Sequence, residues 1–158
     1  EEQFVPCACT PLLDAIGMSL TRLEAEVKKH ERALASVTII TDGYENASTE
    51  YNAQQIHQLI GSLKEQEGWN FAFMGANQNV TEVSVELNID VQNACEFEFS
   101  CDGALNAFSA YNEGNMNFFS AVEQCDREVR DNVCEQEHRK LRRQMMASRS
   151  FFKRDKDK

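Results

Sequence analysis

Two oxygen-bearing residues stand where a metal ion could be held. Thr10 precedes Pro11 at the start of an amphipathic stretch, and Asp42 follows the β-branched run Val37-Thr38-Ile39-Ile40-Thr41. In an open parallel sheet, ligands gather outside the carboxyl ends of the strands. Asp42 lies at that edge, and a helix running antiparallel to the strand brings its own N-terminus, with Thr10, to the same edge. A hydroxyl and a carboxylate are hard donors of the kind Mg²⁺ prefers, with Mn²⁺ able to take its place. Glu45 and Asn46, just beyond, are candidates for shaping the site or for entering the next helix. Plainer roles stand beside these: Thr10 as a helix N-cap, and Asp42 as the opening of an ordinary Asp-Gly turn. Asp14, one turn into the helix, is accounted for by the helix dipole.

Other chemistries find no footing. The chain has no G-x-G-x-x-G or G-x-x-x-x-G-K-S/T phosphate loop and no G-x-S-x-G elbow, so a non-enzymatic role is expected. The cysteines at 7, 9, 95, 101, 125 and 134 form no C-x-x-C pair, which argues against structural zinc and for reduced thiols. His30, His57 and His138 are scattered. The N-x-S/T matches at Asn46 and Asn79 are read as chance.

The elements that position Thr10 and Asp42 follow from periodicity. Thr10 as N-cap and Pro11 at the first helical position open a helix. Its apolar stripe is Leu12, Ile16, Leu20, Leu23 and Val27. Val37–Thr41 reads as a strand buried on both faces. Ser48 or Thr49 then caps a helix with Ala53, Ile56, Leu59, Ile60 and Leu63 on one side, ended by Gly68. Trp69 to Met74 is a second strand, Val80 to Leu87 a shorter helix, and Ala94 to Phe99 an edge strand. Strands alternating with helices imply a parallel sheet. The expected fold is α/β: a partial, three-layer, doubly wound, mostly parallel sheet of Rossmann-like type with a C-terminal helical extension. Phe108, Tyr111, Phe118, Phe119 and Val122 mark a helical stretch against the sheet. Beyond Cys125 the chain is highly charged and is expected to project as a helix, with Met145, Met146, Phe151 and Phe152 as its main apolar content, before fraying over 153–158. The domain boundary falls between 122 and 123.

Three segments in order carry a family resemblance: Cys9-Thr10-Pro11-Leu12-Leu13-Asp14-Ala15-Ile16-Gly17, then Val37 to Asn46 with Thr41-Asp42-Gly43 at its centre, then Phe71-Ala72-Phe73-Met74-Gly75-Ala76-Asn77. Over about residues 4–122 the chain resembles a von Willebrand factor type A domain. That resemblance implies a metal-ion-dependent adhesion site built from three loops. Thr10 matches the helix-opening Thr, and Asp42 matches the strand-ending Asp. The family's third loop, Asp-x-Ser-x-Ser on the central strand, does not occur in this sequence, and Cys9 stands where the family usually has Gly. In the family's strand order this chain would supply only the last three strands. Val37–Thr41 would then be left with a hydrophobic edge that proteins normally cover. An N-terminally truncated piece is the favoured expectation; pairing of two copies along that edge, or a partner supplying the missing half, are the others. The implied function is recognition of an acidic residue of a partner protein through Mg²⁺, if the site is completed.

Composition sets the remaining limits. The 158 residues suit one domain with an appendage, and no apolar run is long enough to span a bilayer. With no secretory leader visible, a cytoplasmic location is expected. The formal charge of −10 is divided. Residues 1–137 hold 7 Lys/Arg against 24 Asp/Glu, whereas residues 138–158 hold 9 against 2. This basic tail, with Arg139, Lys140, Arg142, Arg143 and Arg149, offers an alternative function: a metal-independent assembly element acting through the sheet edge and the tail, with nucleic acid as its sharpest partner.

Overall fold

The computed structural model describes residues 9–30, 33–66, 68–98, 100–129 and 151–152. The elements run α1 (Leu12–Val27), β1 (Ala35–Thr41), α2 (Ala53–Glu65), β2 (Trp69–Ala76), α3 (Val80–Glu86), a 3-10 turn (Val91–Asn93), β3 (Ala94–Phe97) and α4 (Cys101–Val129). The strands form one small parallel sheet in the order β1-β2-β3. The expected alternation of helix and strand holds, with strand ends displaced by two residues in each case.

The register explains which residues face which way. Ala35 pairs with Trp69, Val37 with Phe71, Ile39 with Phe73, and Phe73 in turn with Ala94. Alternate residues share a face, so these form one surface, packed against Ile16 and Leu20 of α1, Ile56, Ile60 and Leu63 of α2, and Leu87 and Ile89. Phe73, Leu20, Ile56, Ile60 and Leu63 are fully buried, each stabilising the fold by about 1.5–3 kcal/mol. The intervening residues Ala72 and Met74 turn the other way, onto Ala107 of α4 and onto Phe151 and Phe152. The Ser36 hydroxyl donates to Asn115 Oδ1 at 2.8 Å, tying α4 to β1 on that side.

Several expectations need correction. β1 is not buried on both faces: Ile40 is 45% exposed and lies outside the cluster that Ala107, Phe151 and Phe152 form with Ala72 and Met74 of β2. Leu23, expected in the apolar stripe of α1, is also exposed. Phe151 and Phe152 do not lie on a projecting helix; both are buried, with their rings edge-on at 4.9 Å. The cap of α2 is neither Ser48 nor Thr49. Asn52 accepts from the Gln55 N–H while the Gln55 side chain accepts from the Asn52 N–H, a reciprocal capping box. α4 continues without a break through 122 and 123. No helix among the described residues is long and apolar enough to cross a membrane. Arg139, Lys140, Arg142, Arg143 and Arg149 lie outside the described residues.

Candidate functional site

The strands are parallel, so the loops after β1 and β2 emerge at one edge of the sheet, and the N-terminus of α1 meets the first of them. The helix does not begin as expected. Pro11, not Thr10, is the N-cap, and no side chain of its own caps α1. A proline cap has no hydroxyl to offer, so the first helical N–H groups need acceptors from elsewhere. The loop after β1 provides them. Leu13 N–H donates to Glu45 Oε2 at 2.8 Å, and Asp14 N–H donates to Ser48 Oγ at 3.1 Å. Leu12 and Ala15 close onto the Thr10 and Pro11 carbonyls. A carboxylate at this position also complements the helix dipole.

Glu45 is the hub of this junction. Its Oε1 accepts from the Ala47 N–H at 2.8 Å and the Ser48 N–H at 2.7 Å, and its Oε2 accepts from the Ser48 hydroxyl at 2.7 Å besides Leu13. Burial alone would push this carboxyl up, but those four donors overcome it and hold the group at about 2. Asp14 makes the return connection, and the helix dipole is not its main role. Its carboxylate accepts from the N–H groups of Thr49 (2.8 Å), Glu50 (2.9 Å) and Tyr51 (2.8 Å). The Thr49 N–H foremost holds Asp14 below the usual carboxylate range, against its burial and the nearby Glu45 charge. Asn46 completes the clamp: Thr10 N–H donates to Asn46 Oδ1 at 2.7 Å, and Asn46 N–H donates to the Thr10 carbonyl at 3.2 Å.

The two candidate metal donors behave differently. The Thr41 hydroxyl donates to the Gly43 carbonyl at 2.8 Å and accepts its N–H at 3.3 Å, closing a tight turn on which Asp42 is exposed. A Cβ added at Gly43 would meet Thr10 Oγ1 at 3.2 Å, so the Thr10 hydroxyl lies directly against the Asp42-Gly43 turn. The structure thus brings the Thr10 and Asp42 loops together at the carboxyl edge. Asp14, Glu45, Asn46 and Ser48 are all engaged in holding the loops. Neither the Thr10 hydroxyl nor the Asp42 carboxylate has a hydrogen-bond partner among the described residues.

What could be held there is limited by donor number. Mg²⁺ takes an octahedral oxygen shell and commonly keeps several waters; Thr10 and Asp42 supply two hard oxygens of the right kind. Among the described residues no group of three or more His, Cys, Asp or Glu side chains could hold a metal ion. The pair therefore fits a cation whose remaining ligands are water or come from elsewhere.

A cavity of about 260 Å³ opens on the other side of Glu45, between Leu12 and Leu13 of α1, Tyr44, Gln78, and Val83, Glu86 and Leu87 at the end of α3. Sequence reading passed over Gln78 and Tyr44, and gave Asp14 and Ser48 no part in joining the loops. The polar run Glu45-Asn46-Ala47-Ser48 after a strand was the one available signal. Comparison with protein-family models, with curated proteins and with solved structures finds no match.

Proposed function

We propose that this chain is a protein-binding module of von Willebrand factor type A kind, in which Thr10 and Asp42 help to hold Mg²⁺ and the ion engages an acidic residue of a partner. The fold that goes with this reading is a partial, doubly wound sheet, of which β1, β2 and β3 are the last three strands. One observation carries the reading above others. The Thr10 hydroxyl and the Asp42 carboxylate are left without a hydrogen-bond partner among the described residues, and they sit on adjoining turns, whereas Asp14, Glu45, Asn46 and Ser48 around them are engaged in joining the loops. Buried or half-buried polar groups normally find partners, so a hydroxyl held against an exposed carboxylate's turn suits a third party between them. Bound there, Mg²⁺ would supply a charge centre with an open coordination position. Glu45, Asn46 and Asp14 would not touch the ion; they would hold Thr10 at its distance from the turn.

The test is binding of the full chain to an immobilised library of short acidic peptides in Mg²⁺. The reading expects selective retention that disappears in EDTA and in the Asp42→Ala variant. Retention that persists in both would overturn it.

A second reading draws on β1, which pairs only with β2 among the described residues and leaves Ile40 exposed. An open strand edge is a template for pairing. Under this reading the sheet edge, with or without the basic tail, joins the chain to a second copy or to a partner without metal. Association that survives EDTA and responds to Ile40→Lys would favour it.

A further inference from the structure

The cavity beside Glu45 is not used by the proposed metal site, and its walls define a ligand. Leu12, Leu13, Val83 and Leu87 are its apolar lining, and Tyr44, Glu45, Gln78 and Glu86 its polar lining. Gln78 is the informative member. It is only 5% exposed, and its Nε2 donates to the Thr41 carbonyl at 3.5 Å, but its Oε1 is buried without a hydrogen-bond partner among the described residues. A buried, unpaired amide oxygen costs about 1–3 kcal/mol, and a small turn of the Gln78 amide toward the cavity would let a donor that arrives with a ligand relieve that cost. The glycine at 75 leaves the amide room to turn: Gln78 Cγ and Nε2 lie 2.9 Å from where a Cβ on Gly75 would stand, space that any other residue would fill.

The charges select the sign of that donor. Glu45 contributes a field but no free lone pair, since all four of its acceptor positions are filled. Glu86 adds an exposed carboxylate at the mouth. The Tyr44 hydroxyl accepts the Asn79 N–H at 3.3 Å, and its ring, in a residue 56% exposed, presents a face that attracts cations. An anion would meet two carboxylates, and a purely apolar guest would leave the Gln78 oxygen unpaired. A cation on an alkyl stem satisfies both the walls and the acceptors.

We propose that this cavity is a second binding site, specific for an alkylammonium or alkylguanidinium group, with the stem against Leu13, Val83 and Leu87 and the charged head toward Gln78 and Glu86. The site does not depend on the metal reading. Its source is either a Lys or Arg side chain of a protein or a free amine, the recognised chemistry being the same.

Two-dimensional NMR of the full chain in EDTA tests it, with n-butylammonium and n-butylguanidinium as probes. Saturable shifts in the millimolar range, as suits ligands this small, are expected at the methyls of Leu12, Leu13, Val83 and Leu87 and at the Gln78 side-chain amide. Butyrate and n-butanol should bind much more weakly. Val83→Phe, which fills the cavity, should abolish the shifts. Glu86→Gln, at an exposed position that leaves folding intact, should weaken binding about two- to fivefold. Stronger binding of a doubly blocked lysine than of 1,4-diaminobutane assigns the site to a protein side chain, and the reverse assigns it to a free amine. Absence of saturable shifts, or equal binding of butyrate, overturns the proposal.

Discussion

Replacing Glu45 by Gln tests the junction that positions the candidate site. The carboxylate accepts four hydrogen bonds, three from backbone N–H groups and one from the Ser48 hydroxyl, at 2.7–2.8 Å. Gln keeps the shape but turns one acceptor oxygen into a donor that faces two donors. The group's shift from 4.5 to about 2 sets an upper limit of about 3 kcal/mol on what ionisation contributes. Partial exposure and solvent screening reduce this to about 1–2 kcal/mol. For a chain of this size that corresponds to a fall in melting temperature of about 2–8 °C. Because the folded value is depressed, the stabilisation is fully present above pH 4.5 and is lost as pH falls toward 2. Thermal unfolding of the native chain and of Glu45→Gln between pH 7 and pH 3 should therefore show a gap that narrows as the pH drops. A gap absent at pH 7, or unchanged down to pH 3, would refute the assignment of Glu45 as the cap of α1.

Three further outcomes follow from the same geometry. Asp14→Asn should lower the melting temperature and speed hydrogen exchange at the amides of Thr49, Glu50 and Tyr51, which its carboxylate holds; unchanged exchange there would count against the clamp. In Gly17→Ala the new Cβ would meet the Tyr51 ring at 2.5–2.6 Å, costing about 1–3 kcal/mol by overpacking. Adding Tyr51→Ala should recover part of that loss in a double-mutant unfolding cycle. Gly43→Ala presses on the Thr10 hydroxyl at 3.2 Å, so Mn²⁺ affinity should fall several-fold with little change in stability, as calorimetric titration and melting would report.

Much of the fold was legible because periodicity reports packing. Ile16, Leu20, Ile56, Ile60 and Leu63 recur at helical spacing and are the residues buried against the sheet, and Val37 and Ile39 alternate onto the same face as Phe71 and Phe73. Burial of the opposite face was not legible, since it depends on Phe151 and Phe152, far along the chain, meeting Ala72 and Met74. The convergence of Thr10 with the Asp42 turn could be read from strand direction and the position of each residue. The roles of Asp14 and Glu45 could not. The hydrogen bonds by which they cross the junction link residues 32–37 apart, and no local pattern distinguishes a carboxylate that caps a distant helix from one that meets solvent. Thr10 looked like a cap on local grounds and was displaced by Pro11 because Glu45 and Ser48 cap the helix from across the junction.

The central claim is that the Thr10 hydroxyl and the Asp42 carboxylate are the donors for a divalent ion. Substoichiometric Mn²⁺ added to the ¹⁵N-labelled chain tests it most directly, because the ion broadens amide signals around its binding site. If the two oxygens hold the ion, signals from Cys9 to Leu12 and from Thr41 to Asn46 broaden first, excess Mg²⁺ restores them, and Asp42→Asn abolishes the effect. Broadening that instead spreads over the acidic surface, and is the same in Asp42→Asn, would contradict it.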